Sequence, residues 1–330
     1  VLDKKCNGAV INITGRSYYR LFVNGKFVMH GPARTARGYL RVDEVDISDF
    51  VVEGTNIIAI EQISYGKLFG GYSNHLTLED GVIIFEIYDA NGNTLCYSSE
   101  NIPCIILKNR HKIADRKSHC REICEVCDVD ESYFSWRNSS TEDGRFVKSY
   151  ETEADFKLLP RVMNYPEMIY KSGANLAEFG SFKYEGEYQL NFYEKWSPEI
   201  YDNMDEHILR DLWCIRENSG NAAVEYIREG VKLNIKDNAF LNYDFNESNV
   251  GFLGFTIKTN QEIKIDIVAT ELVKTDGMPP YEFNTGTRLF VKPGEYEFTC
   301  FEPALIRYVR FYITGNAEVS ISNIHIITYC

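Results

Sequence analysis

Apolar residues recur with period two over much of the chain, and the segments that carry this pattern end in turn-forming residues. The clearest case is Tyr18-Tyr19-Arg20-Leu21-Phe22-Val23-Asn24-Gly25-Lys26-Phe27-Val28-Met29-His30. Asn24-Gly25 is the strongest short hairpin signal, because a type I′ turn needs two residues that tolerate φ > 0. A two-residue loop sets Val23 opposite Lys26, Phe22 opposite Phe27 and Leu21 opposite Val28. Cross-strand partners share a sheet face, so Leu21 and Val28 fall on one side and Phe22 and Phe27 on the other. Both faces are apolar, as in a strand pair inside a sandwich. Gly31-Pro32 ends the second strand, since proline cannot donate to a ladder.

The same reading extends along the chain. Ile57 to Ile63 is a nearly continuous apolar run, suited to a strand buried on both sides. Val82 to Tyr88 is a strand, turned by Asp89-Ala90-Asn91-Gly92-Asn93 into Thr94-Leu95-Cys96-Tyr97. Tyr65 to Tyr72 is a glycine-rich loop without the spacing or the helix of a phosphate cradle. Residues 129–180 change character: a polar stretch from Asn138 to Gly144, then Leu158-Leu159-Pro160-Arg161 and Asn164-Tyr165-Pro166, read as an extended connector. Further on, Glu262 to Val268 alternates so that Ile263, Ile265 and Ile267 share one face. Leu289 to Phe298 reads as a hairpin turned at Pro293-Gly294, and Leu305 to Ile313 alternates again. Met204 to Ile215 is the main helical expectation, with acids early and Arg210 late, as the helix dipole prefers.

These elements predict an all-β chain of two antiparallel β-sandwiches with few short helices. The expected limits are 1–128 for the first sandwich, 129–180 for the connector and 181–330 for the second. A length of 330 residues suits two domains, and twenty-two tyrosines and twenty phenylalanines against three tryptophans suit β structure. The net charge of −13 argues against nucleic-acid or anionic-membrane partners. No apolar run approaches the ~18 residues of a membrane span. The chain opens on Val1-Leu2-Asp3 without an initiating Met or a signal-peptide run, so a trimmed start is expected.

Four motifs in order carry a family resemblance: Tyr19 to Lys26, then Gly31-Pro32-Ala33-Arg34, then Val45-Asp46-Ile47-Ser48, and finally Glu53-Gly54-Thr55-Asn56-Ile57-Ile58-Ala59-Ile60. Together they resemble the N-terminal β-sandwich of bacterial α-L-rhamnosidases, glycoside hydrolase family 78. Gly251-Phe252-Leu253-Gly254 and Phe301-Glu302-Pro303 with Arg307-Tyr308 resemble motifs of that family's second sandwich. The resemblance implies jelly-roll, galactose-binding-like domains that precede a catalytic (α/α)6 barrel. Arg121 to Glu125 would then be a late strand of the first sandwich. The family's acid-rich catalytic motif opens with Asp-Cys-Pro, and no Asp-Cys occurs here. The resemblance therefore implies non-catalytic domains that pack on a barrel the chain does not include, and no catalytic residue.

Candidate chemistry is sparse. No Gly-x-Ser-x-Gly elbow, His-Glu-x-x-His helix or P-loop is present. His119, Cys120, Cys124 and Cys127 are the nearest thing to a metal cluster, but no second ligand pair follows at zinc spacing, so neither metal nor cofactor is expected. Nine cysteines, without dense pairing, read as free thiols in a reducing compartment, hence a cytoplasmic bacterial setting with secretion left open. The Asp89 to Asn93 loop lacks the later bidentate Glu of an EF-hand. Glu271 and Asp276 read as polar residues at a strand end. If a sandwich binds sugar, an exposed aromatic should form the platform. Trp196 is the first choice, in a polar, proline-containing loop, with Tyr193 and Asp202 as neighbours. Arg34 could clamp a sugar hydroxyl or close its loop as an ion pair. Trp136 would anchor the connector, and Trp213 would lie in the core. Two functions fit: an accessory part of an α-L-rhamnosidase-like hydrolase that holds a rhamnose-containing glycan, or a free-standing carbohydrate-binding or adhesion protein.

Overall fold

The computed structural model describes residues 8–36, 38–63, 81–111, 125–138, 146–147, 156–187, 210–220, 222–272 and 285–329. The chain is all-β, built of largely antiparallel sheets that pack as sandwiches. Among the described residues, the helical elements are two short 3-10 turns, Ser135–Arg137 and Arg210–Cys214. Two compact units form: unit 1 is Val1–Leu107 with Phe134–Asn164, and unit 2 is Lys108–Tyr133 with Tyr165–Cys330.

Unit 1 opens with β1 (Val10–Arg16), β2 (Tyr19–Val23), β3 (Lys26–Gly31), β4 (Tyr39–Asp46), β5 (Ile58–Gln62), β6 (Val82–Tyr88), β7 (Thr94–Tyr97) and β8 (Cys104–Ile105). Next come β9 (Glu125–Val129), which belongs to unit 2, then β10 (Phe146–Val147) and β11 (Lys157–Pro160), which return to unit 1. One sheet runs β11-β4-β1-β6-β7, a second runs β3-β2-β5, and β8 pairs with β10. Between the two larger sheets lie Ile11, Ile13, Tyr19, Leu21, Val23, Met29, Phe85 and Ile87.

The Asn24-Gly25 turn forms as expected, with φ of 50° and 76°. Val23 faces Lys26 and Phe22 faces Phe27, but Leu21 pairs with Met29. The expected Leu21–Val28 pair is therefore corrected by a β-bulge at Val28. The extra residue turns Met29 into the core beside Leu21. The outer face of this hairpin is covered from 134–138. Half-buried Trp136 meets the Phe22 ring edge-on at 5.6 Å, and the Arg137 guanidinium lies 4.9 Å from that ring's centre.

The expected boundaries also shift. β9 lies parallel to the strand Thr285–Val291 of its own unit, so Glu125 to Val129 belong to unit 2, whereas Arg121 to Cys124 of the expected late strand lie outside the described residues. The expected connector is in part a strand: β11 pairs in parallel with β4. Arg161, at its end, donates to the Asp43 carboxylate at 2.8 Å. Asp43 is fully buried and also accepts from the Tyr19 hydroxyl at 2.6 Å. Burial pushes its carboxyl above the ordinary range, and Tyr19 and Arg161 pull it back down. A Cβ on Gly31 would stand 2.6 Å from both oxygens of the Tyr19–Asp43 bond, so only glycine fits there.

Unit 2 continues with β12 (Tyr170–Ser172), β13 (Asn175–Tyr184), β14 (Ile215–Ser219), β15 (Val224–Ile227), β16 (Gly230–Ile235), β17 (Asn238–Thr259), β18 (Ile263–Thr270), β19 (Thr285–Val291), β20 (Gly294–Thr299), β21 (Ala304–Thr314) and β22 (Ala317–Thr328). β17 serves both layers. Its first half pairs with β13 and β21, and its second half with β20 and β22, with a register break between Asp244 and Asn249. Asn246 takes φ of 65° at that break, and its N–H donates to the Asp244 carboxylate. Phe255 of the second half lies 5.0 Å from the Phe311 ring of β21, and both rings are buried.

Ile263, Ile265 and Ile267 are buried as expected. Their polar neighbour Asp266 is buried as well, held by Arg288 at 2.5 Å. Two expectations are corrected here. β19 and β20 do not form a hairpin at Pro293-Gly294, because β19 pairs with β18 and β20 crosses to β17. The described end of the expected helix, Arg210–Cys214, is a 3-10 turn, and Ile215 begins β14 opposite Tyr184. Ladder pairing beside β13 satisfies those backbone groups and overrides a weak helical propensity.

Candidate functional site

Trp196, Tyr193 and Asp202 lie outside the described residues, as do Asp276, the Tyr65 to Tyr72 loop, His119, Cys120 and Cys124. Arg34 is exposed between β3 and β4 and pairs with no carboxylate among the described residues. Cys127 is buried in β9. Asp89 spends its carboxylate on its own turn, accepting from the backbone N–H groups of Asn91 and Asn93 and from the Asn93 side chain. Those bonds hold its carboxyl below the ordinary carboxylate range. Among the described residues no cluster of His, Cys, Asp and Glu has the makings of a metal site.

The five-stranded sheet of unit 1 presents a different candidate. Ile11, Ile13, Phe85 and Ile87 point into the core, so the alternate residues of β1 and β6 point outward. Register then sets a row across four strands: Glu44 opposite Asn12, Asn12 opposite Glu86, and Glu86 opposite Tyr97. One step along, Val10 stands between Asp46 and Tyr88, and Tyr88 stands opposite Thr94. The outer face therefore combines two tyrosines, an amide, a threonine and two exposed glutamates.

These groups are fixed by one another. The Tyr88 hydroxyl donates to Glu44 at 3.4 Å, and the Asn12 side chain also hydrogen-bonds it. Partial burial raises the Tyr88 hydroxyl above its ordinary pKa, and Glu44 raises it further. Thr94 donates to Glu86 at 2.7 Å. Tyr97 is 62% exposed on the edge strand. An aromatic ring left in water beside ordered acceptors offers stacking area and hydrogen bonds together, which suits a polyol ring with one apolar face. Neighbouring strands lie about 4.8 Å apart, so the row from Glu44 to Tyr97 spans about 14 Å. That is room for an extended oligosaccharide rather than a single sugar.

Sequence reasoning missed this face. The alternation of Val82 to Tyr88 marks Glu86 and Tyr88 as outward, and Asn12 between Ile11 and Ile13 does the same for β1. Only the register of β1 against β4 and β6 places them in one row.

The fold defines a protein of two β-sandwich units. Among solved structures the chain matches the GH78 family rhamnosidase of Bacillus sp. GL1 over 100% of its own length and 52% of that chain, with a TM-score of 0.71 and 15% identity. It also matches the α-L-rhamnosidase from Dictyoglumus thermophilum over 96% of this chain and 29% of that one, at a TM-score of 0.54 and 16% identity. A third match is the Streptomyces avermitilis α-L-rhamnosidase complexed with L-rhamnose, covering 99% of this chain and 28% of that one, at 0.53 and 15%. The resemblance read from the four motifs thus holds at the level of the fold, and the chain spans about half or less of each of these structures. No protein-family model matches the chain, and no curated protein does.

Proposed function

We propose that the chain is the non-catalytic two-sandwich part of an α-L-rhamnosidase-like glycoside hydrolase, and that the outer face of β4-β1-β6-β7 holds a neutral glycan containing rhamnose. The supporting observation is the match of the whole chain, both units included, to a rhamnosidase at a TM-score of 0.71. The described residues of this face carry the aromatic and acceptor groups that sugar binding needs. Tyr97 stacks on the apolar side of a pyranose. Glu86 bonds hydroxyls of that ring, and Asn12 and Glu44 bond hydroxyls of the sugars that follow along the row.

Calorimetric titration with L-rhamnose and a rhamnose-containing oligosaccharide tests the binding half. The oligosaccharide should bind more tightly than the monosaccharide, and Tyr97→Ala should weaken it at least tenfold. Equal binding by wild type and Tyr97→Ala would remove this face. Incubation with a chromogenic α-L-rhamnoside tests the other half: release of product above a heat-killed control would show that these units are catalytic.

A further inference from the structure

A second exposed aromatic stands in unit 2, on the outer face of the layer formed by β12, β16, β22, the second half of β17, and β20. β12 pairs with β22 so that Tyr170 stands opposite Ile327 and Ser172 opposite His325. The Tyr170 ring stacks on the His325 ring with centroids 4.2 Å apart. Its hydroxyl donates to the side chain of Asn323, and His325 Nδ1 lies 2.7 Å from the Asn323 carbonyl oxygen. Beneath the imidazole is Gly254, where a Cβ would stand 2.3 Å from His325 Nε2. Glycine, imidazole and phenol therefore form one stack, and the phenol is its outermost layer.

Tyr170 remains 51% exposed although its hydroxyl is bonded and one ring face lies on His325. The exposed part is then chiefly the opposite face of a ring that is held in orientation. Such a ring meets a ligand with little side-chain entropy left to lose. The surrounding floor is polar and low. Thr256 stands opposite Ser322, Lys258 opposite Ser320, and Glu297 opposite Thr256. Lys232 stands opposite Ser320 on the other side and pairs with Glu318 at 2.9 Å. Glu229 and Glu297 lie within electrostatic reach of the Tyr170 hydroxyl, which disfavours an anionic ligand there. A hydroxyl-lined floor likewise does not match an apolar peptide.

We infer that Tyr170, set on His325 and Gly254 and flanked by Ser322, Thr256 and Glu297, is a second saccharide site that takes a single neutral pyranose ring. The ring's apolar face stacks on Tyr170, and its hydroxyls meet the Ser322 and Thr256 hydroxyls and the Glu297 carboxylate. One oriented ring beside a short polar floor suits one sugar ring. The row on unit 1 is built for a chain of them. Every residue of this site belongs to unit 2, so sugar binding here does not depend on the Tyr97 face.

The test follows the His325 imidazole resonances of the full chain by NMR during titration with L-rhamnose, D-galactose, D-glucose and D-mannose, each to about 50 mM. At least one of these sugars should shift the His325 signals in a saturable manner. The shift should persist in Tyr97→Ala and be at least tenfold weaker in Tyr170→Ala. Tyr170→Phe keeps the ring while losing the bond to Asn323, and should fall between them. Unmoved His325 signals with all four sugars in the wild type would overturn the site, whatever Tyr97→Ala does. Equal shifts in wild type and Tyr170→Ala would overturn it too. A Tyr170-dependent shift without any Tyr97-dependent binding would remove the unit 1 face and leave this site standing.

Discussion

Asn24 Nδ2 donates to Asn56 Oδ1 at 2.8 Å, joining the hairpin turn to the loop that precedes β5. Asn24 also donates to the Phe50 carbonyl and accepts from the Ile57 N–H at 2.9 Å. Asn56 accepts from the Val52 N–H and donates to the Val52 and Gly54 carbonyls. The Asn-Gly pair and the Gly-Thr-Asn motif are thus halves of one hydrogen-bonded corner. Asparagine serves at both places because its side chain donates and accepts at once.

Asn56→Ala should therefore destabilise unit 1 by about 1–2 kcal/mol, since the part-buried Asn24 amide and Gly54 carbonyl lose a partner at roughly 1 kcal/mol each while the two exposed Val52 bonds are replaced by water. Amide hydrogen exchange read separately in the two units checks this. Protection should fall in β2, β3 and β5 and hold in β17 to β22. Unchanged exchange in β2 would mean that the corner does not hold the hairpin.

Gly25→Val should cost unit 1 about 1–3 kcal/mol, because a β-branched residue resists positive φ. The added Cβ would also meet the Asn138 side-chain amide, so part of the cost is displacement of that side chain. Urea unfolding with both units monitored is the measurement. A midpoint equal to wild type would contradict a strained turn.

Arg161→Ala should cost about 3–5 kcal/mol, the range for removing one partner of a buried ion pair. Arg161 lies in a stretch whose sequence reads as connector, so a linker role would instead predict almost no effect. Asp43→Asn should also be destabilising, since the buried Arg161 cation would lose the Asp43 carboxylate. Thermal melts of the two variants distinguish these outcomes.

His325 predicts a pH dependence for unit 2. Burial lowers its pKa from the ordinary 6.5, although Asn323 and Glu297 oppose the shift. As pH falls, the unfolded chain takes up the proton first, so stability drops through about 6.5 and levels below the folded value. The contribution is complete above the unfolded pKa. Melting of unit 2 between pH 7.5 and 5 should be steeper in wild type than in His325→Asn. Parallel curves would show that the imidazole titrates freely.

Local chemistry in the sequence determined the all-β class, the Asn24-Gly25 turn and the Asp89 to Asn93 turn. Each rests on side-chain period or on residues that tolerate one backbone shape, and both kinds of information are short-range. The four motifs pointed to the rhamnosidase fold for a related reason. Asn24, Gly31 and Asn56 occupy positions where hydrogen bonding or space allows few substitutes. Tertiary structure alone decided the bulge at Val28, the transfer of β9 to unit 2, the bond from Arg161 to Asp43 and the crossing of β20 to β17. Except for the bulge, which lies within one hairpin, these pair residues far apart in the chain, and strand alternation states which face a residue takes without naming its neighbour. The binding faces follow the same rule. Tyr97, Asn12 and Glu44 become one row, and Tyr170 meets His325, only through ladder register, which is set by the packing of whole sheets.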